Sequence, residues 1–304
     1  MLGILSFLTQ ACVSKYPLSP KPDTGGGAVP TATFTATLVV PALTATPTAT
    51  DTPTSTDTPT SSPTPGTPST VTPLGASSVD LLAQSIVGSG ITSYGAVTYR
   101  TATNTVGFFS GGMDSVGLDS GIVLSTGLVA CASGVTMTNT CDNRLGLVGD
   151  ADLTALQAGN ATFDASALEF DVVPGGNNLR VSYVFTSEEY NQWVSQYQDV
   201  FAIFVDGVNI ATLPGDLSVS TYNVNACTNT AYYINNVYQA TSLCAAMLPI
   251  ANRPTAMNGL TTVLTATAPV TAGVSCHLKF AIADGKDDWL DSNVFIAAGS
   301  LTSF

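Results

Sequence analysis

From Val274 to Ile282 apolar and polar residues alternate with hardly a break, and this period of two constrains the chain more than any other feature. Val274, Cys276, Leu278, Phe280 and Ile282 fall on one face of an extended segment, with Ser275, His277 and Lys279 on the other. Leu179, Val181, Tyr183 and Phe185 repeat the pattern. Residues 201–205 and 208–213 flank Asp206-Gly207, a dipeptide suited to a two-residue hairpin. Further strands are expected near 94–101, 104–109, 120–126, 166–172, 261–268 and 292–298. Helical spacing occurs only once at the start: Ser78 is placed to cap, Leu81, Leu82 and Ile86 to bury, and Gly88 to stop the helix. The pattern predicts an all-β fold, a single jelly-roll-like β-sandwich with one short N-terminal helix.

Twelve of the 17 prolines precede residue 74, and no Lys or Arg lies between Lys21 and Arg100. Residues 25–73 are dominated by Thr, Pro, Ala and Ser, a composition with no apolar face to bury. In extended polyproline geometry such a stalk reaches on the order of 100 Å. Before it, the apolar run at residues 2–8 followed by Ala11-Cys12 has the form of a secretory signal with a lipidation cysteine. The expected organisation is a signal peptide over 1–12 with Cys12 lipidated, a disordered Thr/Pro-rich linker over 13–75, and the sandwich over 76–304.

Eight Lys and Arg against 21 Asp and Glu give a net charge of −13, which excludes the basic footprint of a nucleic-acid binder. No apolar run approaches the roughly 18 residues of a membrane-spanning helix. One histidine and three glutamates leave little material for acid–base chemistry, so the chain is expected not to be an enzyme. The residues SGGMDS at 110–115 match a phosphate-loop signature, but neither a helical continuation nor a βαβ pattern follows, and a turn between strands is the better reading. Cysteine use fits an oxidising compartment, with Cys131–Cys141 and Cys227–Cys244 as disulfide candidates and Cys276 as a buried thiol.

Acids and aromatics gather in two loops. Glu188, Glu189 and Asp199 fall in one; Asp284, Asp287, Asp288 and Asp291 fall in the other. If both loops share one end of the sandwich, seven carboxylates converge there, a donor set suited to Ca²⁺ with its six to eight oxygen ligands. Glu188, Asp199, Asp284 and Asp291 are the favoured ligands. The alternative is that these acids simply prefer strand-end turns and point into water. Tyr190, Trp193, Tyr197 and Trp289 lie in the same loops, as stacking faces for a sugar or as a lid over the sandwich end. Three functions stay open: a non-catalytic surface module binding a glycan or surface protein, a structural envelope component, and a carbohydrate-active hydrolase using Glu188 or Glu189. His277 is expected on a solvated strand face with Lys279.

FFSGG at 108–112, DSGIVLSTG at 119–127, GDADLTAL at 149–156, ALEFDVVP at 167–174 and VFTSEEYNQWV at 184–194 together resemble the choice-of-anchor L domain. DVFAIFVDG at 199–207, NGLTTVLTATAPV at 258–270 and LKFAIADGKDDWLDSNVFIAAGS at 278–300 extend the resemblance over about residues 79–304. It implies a bacterial surface domain of undefined molecular function, in a family named for its varied anchors. No sorting tail follows the last matched segment, so Cys12 is the expected anchor to the envelope.

Overall fold

Both faces of a strand must be shielded where its residues are apolar throughout, and two stacked sheets with short covering segments do that here. The computed structural model describes residues 66–304, apart from 103, 134–140, 237–243, 245 and 246. The expected signal peptide, Cys12 and most of the linker lie outside the described residues. The first strands in chain order are β1 (Thr70–Pro73), β2 (Ile91–Tyr94), β3 (Thr98–Arg100), β4 (Val106–Ser110) and β5 (Ser120–Ser125). The long central strands follow: β6 (Thr162–Pro174), β7 (Asn178–Ser187) and β8 (Val200–Val205), then the short β9 (Val208–Asn209), β10 (Thr212–Leu213) and β11 (Leu217–Ser220). The last are β12 (Tyr233–Asn235), β13 (Gly259–Thr261), β14 (Leu264–Pro269), β15 (Cys276–Gly285), β16 (Ser292–Ala297) and β17 (Thr302–Ser303). With them go helices α1 (Asp80–Ile86) and α2 (Ala151–Leu156).

The first sheet runs β1-β4-β5-β16-β7-β13-β12, with β14 and β17 also paired to β7. The second runs β10-β11-β8-β15-β6-β2, with β3 on β6 and β9 on β8. The inward face of the expected alternation holds from Cys276, with Leu278, Phe280 and Ile282 buried between the sheets beside Phe170, Val181, Tyr183, Phe185, Phe201 and Ile203. Val274, by contrast, precedes the strand and is exposed, and Lys279 on the other face is buried as well. Each such side chain contributes about 1.5–3 kcal/mol by leaving water. Asp206 and Gly207 turn the β8–β9 hairpin with φ of 49° and 81°, the left-handed pair that a two-residue turn needs. The expected strand over 208–213 divides into β9 and β10.

Four further differences have physical causes. Strand β1 pairs with β4, so the folded unit begins inside the expected linker, before residue 76. In α1 the buried residues are Leu82, Ala83 and Ile86, whereas Leu81 is exposed. A second helix, α2, lays Leu153 over Ala167, Ala202, Phe204 and Ala281 on the outer face of the second sheet. All six residues of β8 are buried because both its faces are covered, which erases the alternation a half-exposed strand shows. The Gly111-Gly112 segment forms the connection from β4 to β5, as the turn reading required.

Candidate functional site

The sandwich end gathers the predicted acids because β7, β8, β15 and β16 are neighbours whose termini meet there. Glu188 and Glu189 follow the last residue of β7, Asp199 precedes β8, Asp284 is the penultimate residue of β15 and Asp291 precedes β16. Glu188, Glu189, Asp199, Asp284 and Asp291 are all buried. Asp287 and Asp288 are half-buried. These acids do not point into water.

The structure sorts them by their partners. Asp199 is satisfied: Gly285 N–H donates to Oδ1 at 3.1 Å, and the Ser292 and Ser187 hydroxyls donate to Oδ2 at 2.6 and 3.4 Å. Asp291 is satisfied too, by the Asn143 backbone N–H at 3.0 Å and its side-chain amide at 2.6 Å. Any Cβ at Gly127 would collide with the Asp291 carboxylate, so the loop after β5 must carry glycine there. Asp288 pairs with Arg144 at 2.9 Å. Asp199 and Asp291, expected among the leading ligands, are thus held by hydrogen bonds from the chain itself.

The remaining acids are different. Glu188 Oε1, Glu189 Oε2, Asp284 Oδ1 and Asp287 Oδ1 are buried atoms with no hydrogen-bond partner among the described residues. The Asn258 amide donates to the other oxygen of Glu188, Oε2, at 2.8 Å, and a backbone N–H of Cys141 also acts on this carboxyl. Burial pushes the Glu188 carboxyl up to about 8, and the charge of Asp291 adds to it. Glu189 is pushed up to about 9 by burial and then by Asp199, Asp287 and Glu188. Burial raises Asp199 to about 7 against its hydrogen bonds, and Asp284 lies well above the usual carboxylate range for the same reason, with Asp199 adding to it. Among the described residues no group of three or more His, Cys, Asp or Glu is arranged to hold a metal ion, so the acids share a layer without closing on one point.

The predicted aromatics do not form one platform. Tyr190 is 1% exposed and packs against Phe185 and Tyr233, which removes it as a stacking face. Trp193 and Tyr197 meet edge to face at 6.1 Å. Trp289 is exposed, with the Arg144 guanidinium 4.9 Å over its ring. Arg144 and Asn143 belong to a strap that starts at Cys141, joined to Cys131 by a disulfide, and continues to Leu147, whose backbone N–H, like that of Leu145, donates to Asp164. The second expected disulfide, Cys227–Cys244, is also formed, and Cys276 is the buried free cysteine.

The family model of the choice-of-anchor L domain matches residues 70–302, the whole span from β1 to β17. The chain belongs to this family. Among curated proteins and among solved structures, none matches it. Membership makes this a surface-associated protein, and no described helix is long and apolar enough to cross a membrane.

The choice-of-anchor L domain holds a second buried charge cluster that the sequence reading passed over. Lys279 was expected on a solvated face, but α2 covers it, and its ammonium donates to Asp150 Oδ2 at 2.6 Å and Asp152 Oδ2 at 2.7 Å. Both Lys279 and Asp150 are under a tenth exposed. Asp150 caps α2, its Oδ1 accepting from the Asp152 and Leu153 backbone N–H groups. Aspartate ahead of a short apolar run was the available signal for this cap. His277 stays half-exposed as expected, with Asp171 at 2.8 Å and Glu169 at 3.3 Å from its ring nitrogens. A groove of about 680 Å³ opens here, lined by Arg100, Glu169, His277, Lys279, Val148 and Phe204 among others.

Proposed function

We propose that this protein is a non-catalytic binding or adhesion module of the bacterial surface, carried on a Thr/Pro-rich stalk lipid-anchored at Cys12, with Ca²⁺ organising its acid-rich end. The observation that carries the calcium reading is the set of buried carboxylate oxygens, on Glu188, Glu189, Asp284 and Asp287, that lack any described partner. Unpaired buried carboxylates are costly, and they are neutralised either by protons or by a cation. Calcium takes oxygen ligands in irregular geometry, and this reading requires the four side chains to rotate toward one point as the ion binds. Burial of Glu188 and Glu189 supports the non-catalytic reading over the hydrolase alternative, which needs carboxylates lining an open cleft. The groove beside Lys279 falls within the size range of small-ligand sites and is the place this reading gives to a glycan or a surface-protein segment.

Thermal melting of the full chain, followed by the fluorescence of Trp193 and Trp289, tests the calcium reading. A ligand bound only by the folded state at a hundred times its Kd adds about 2.7 kcal/mol, which in a domain of this size raises the midpoint by about 5–10 °C over EDTA. Asp284→Asn and Asp287→Asn should abolish the calcium response while raising the midpoint in EDTA, because each removes the cost of keeping an unpartnered carboxyl, ionised or protonated, in the layer. Superimposable curves with and without calcium overturn the site and leave the structural envelope reading.

A further inference from the structure

The geometry points to a covalent amide cross-link between the Lys279 side chain of β15 and the Asp150 side chain ahead of α2. Lys279 Nζ lies 2.6 Å from Asp150 Oδ2, and both side chains are under a tenth exposed. The carboxyl carbon is then one bond further on, roughly the 3–3.5 Å of a near-attack arrangement. Asp150 cannot swing away. Its backbone N–H donates to Thr162 Oγ1 at 3.0 Å, and its Oδ1 is gripped by the backbone N–H groups of Asp152 and Leu153 at 3.0 and 3.2 Å. On the strand side, Nζ rests 5.6 Å from the centre of the Phe204 ring.

The reaction balances with no outside reagent. One ammonium proton passes to Asp150 Oδ2, giving a neutral amine beside a neutral carboxylic acid. The nitrogen lone pair attacks Cγ, and the charge that develops on Oδ1 is held by the two backbone N–H groups already aimed at it. Asp152, 2.7 Å from Nζ, takes the next proton from the nitrogen and passes it to the departing hydroxyl. The C–O bond breaks, water leaves, and an amide joins the two side chains.

The product keeps the surrounding hydrogen bonds. The amide oxygen still accepts from Asp152 and Leu153, and its remaining N–H donates to Asp152 Oδ2. It also removes a pair of charges whose burial is expensive. Burial works to lower the Lys279 ammonium's affinity for its proton, but Asp150 and Asp152 outweigh it and hold it above its usual value. The neutral pair is therefore a minor species and the step is slow, which suffices for a bond formed once in each molecule. The bond would fasten the 141–152 strap to the central strand of the second sheet, which suits a domain held away from a cell on a tether.

Mass spectrometry of the folded full chain decides the matter. Trypsin cuts after Arg144 and Arg180, and Arg253 is followed by Pro254, so the cross-link must appear as residues 145–180 joined to 181–286, lighter than the two together by one water. Cleavage after Lys279 should be blocked. Lys279→Met should abolish the joined species, and Asp152→Asn should slow its accumulation during incubation of freshly folded protein. Release of free residues 280–286 in full yield from folded wild-type protein, unchanged after prolonged warm incubation, overturns the cross-link and leaves a buried ion pair. Wild-type mass alone is decisive, so a variant that fails to fold does not rescue the idea.

Discussion

Two buried acid clusters in this molecule are opposite solutions to one electrostatic problem. On the outer face of the second sheet, Asp150 and Asp152 close on Lys279, so the neutralising charge is built into the chain. At the sandwich end, Glu188, Glu189, Asp284 and Asp287 each carry a buried oxygen with no hydrogen-bond partner among the described residues, and Arg144 pairs with Asp288 at the edge. Charge buried with a partner rigidifies; charge buried without one must borrow a proton or an ion from the medium. The first cluster carries its own counter-charge. The second depends on the medium for one.

The strongest way to break this contrast is pH. A carboxyl whose folded-state value is raised favours the folded state fully below its unfolded value, and that contribution is lost as pH rises through the folded value. For Glu188, raised from 4.5 to about 8, and Glu189, raised to about 9, the loss falls between about pH 5 and 9. In EDTA, urea unfolding across this window should show stability falling by on the order of 4 kcal/mol from Glu188 alone. Millimolar calcium should flatten the slope, because the ion binds the ionised carboxylates. A flat profile in EDTA would mean that the acids open to water.

Removing the built-in counter-charge is the next test. Lys279→Met strands Asp150 and should cost about 3–5 kcal/mol in urea unfolding at pH 7. It should leave the calcium response intact, since the two clusters lie on different parts of the sandwich. Asp291→Ala strips the Asn143 strap of both its hydrogen bonds and should cost about 1–3 kcal/mol, with faster hydrogen exchange at Asn143. Trp289→Ala removes an exposed ring beneath Arg144 and should cost about 0.5–1 kcal/mol at most. A larger loss there would place Trp289 in a role beyond covering the loop.

Much of the sandwich was legible before any coordinates. The period-two runs became β7 and β15, Asp206-Gly207 became the hairpin turn, and the two cysteine pairs became disulfides. What failed to show were features set by covering. Helix α2 is only six residues long, too short for a helical period to declare itself, and β8 is apolar on both faces. At the candidate site the sequence located the acids, but not the groups that hold Asp199 and Asp291. Their hydrogen-bond donors, Ser292, Gly285 and Asn143, come from other loops, and only the fold brings them near.

The sequence by itself determined the β class, the hairpin and the gathering of acids at strand ends, and offered the two cysteine pairs as candidates, because each depends on residues close along the chain or on a repeating local pattern. Tertiary structure alone decided which acids are satisfied, which are stranded, and that Lys279 is buried against Asp150. Those outcomes depend on burial and on partners from distant segments. The same carboxylate is cheap in water, costly in a dry layer and stable beside an ammonium.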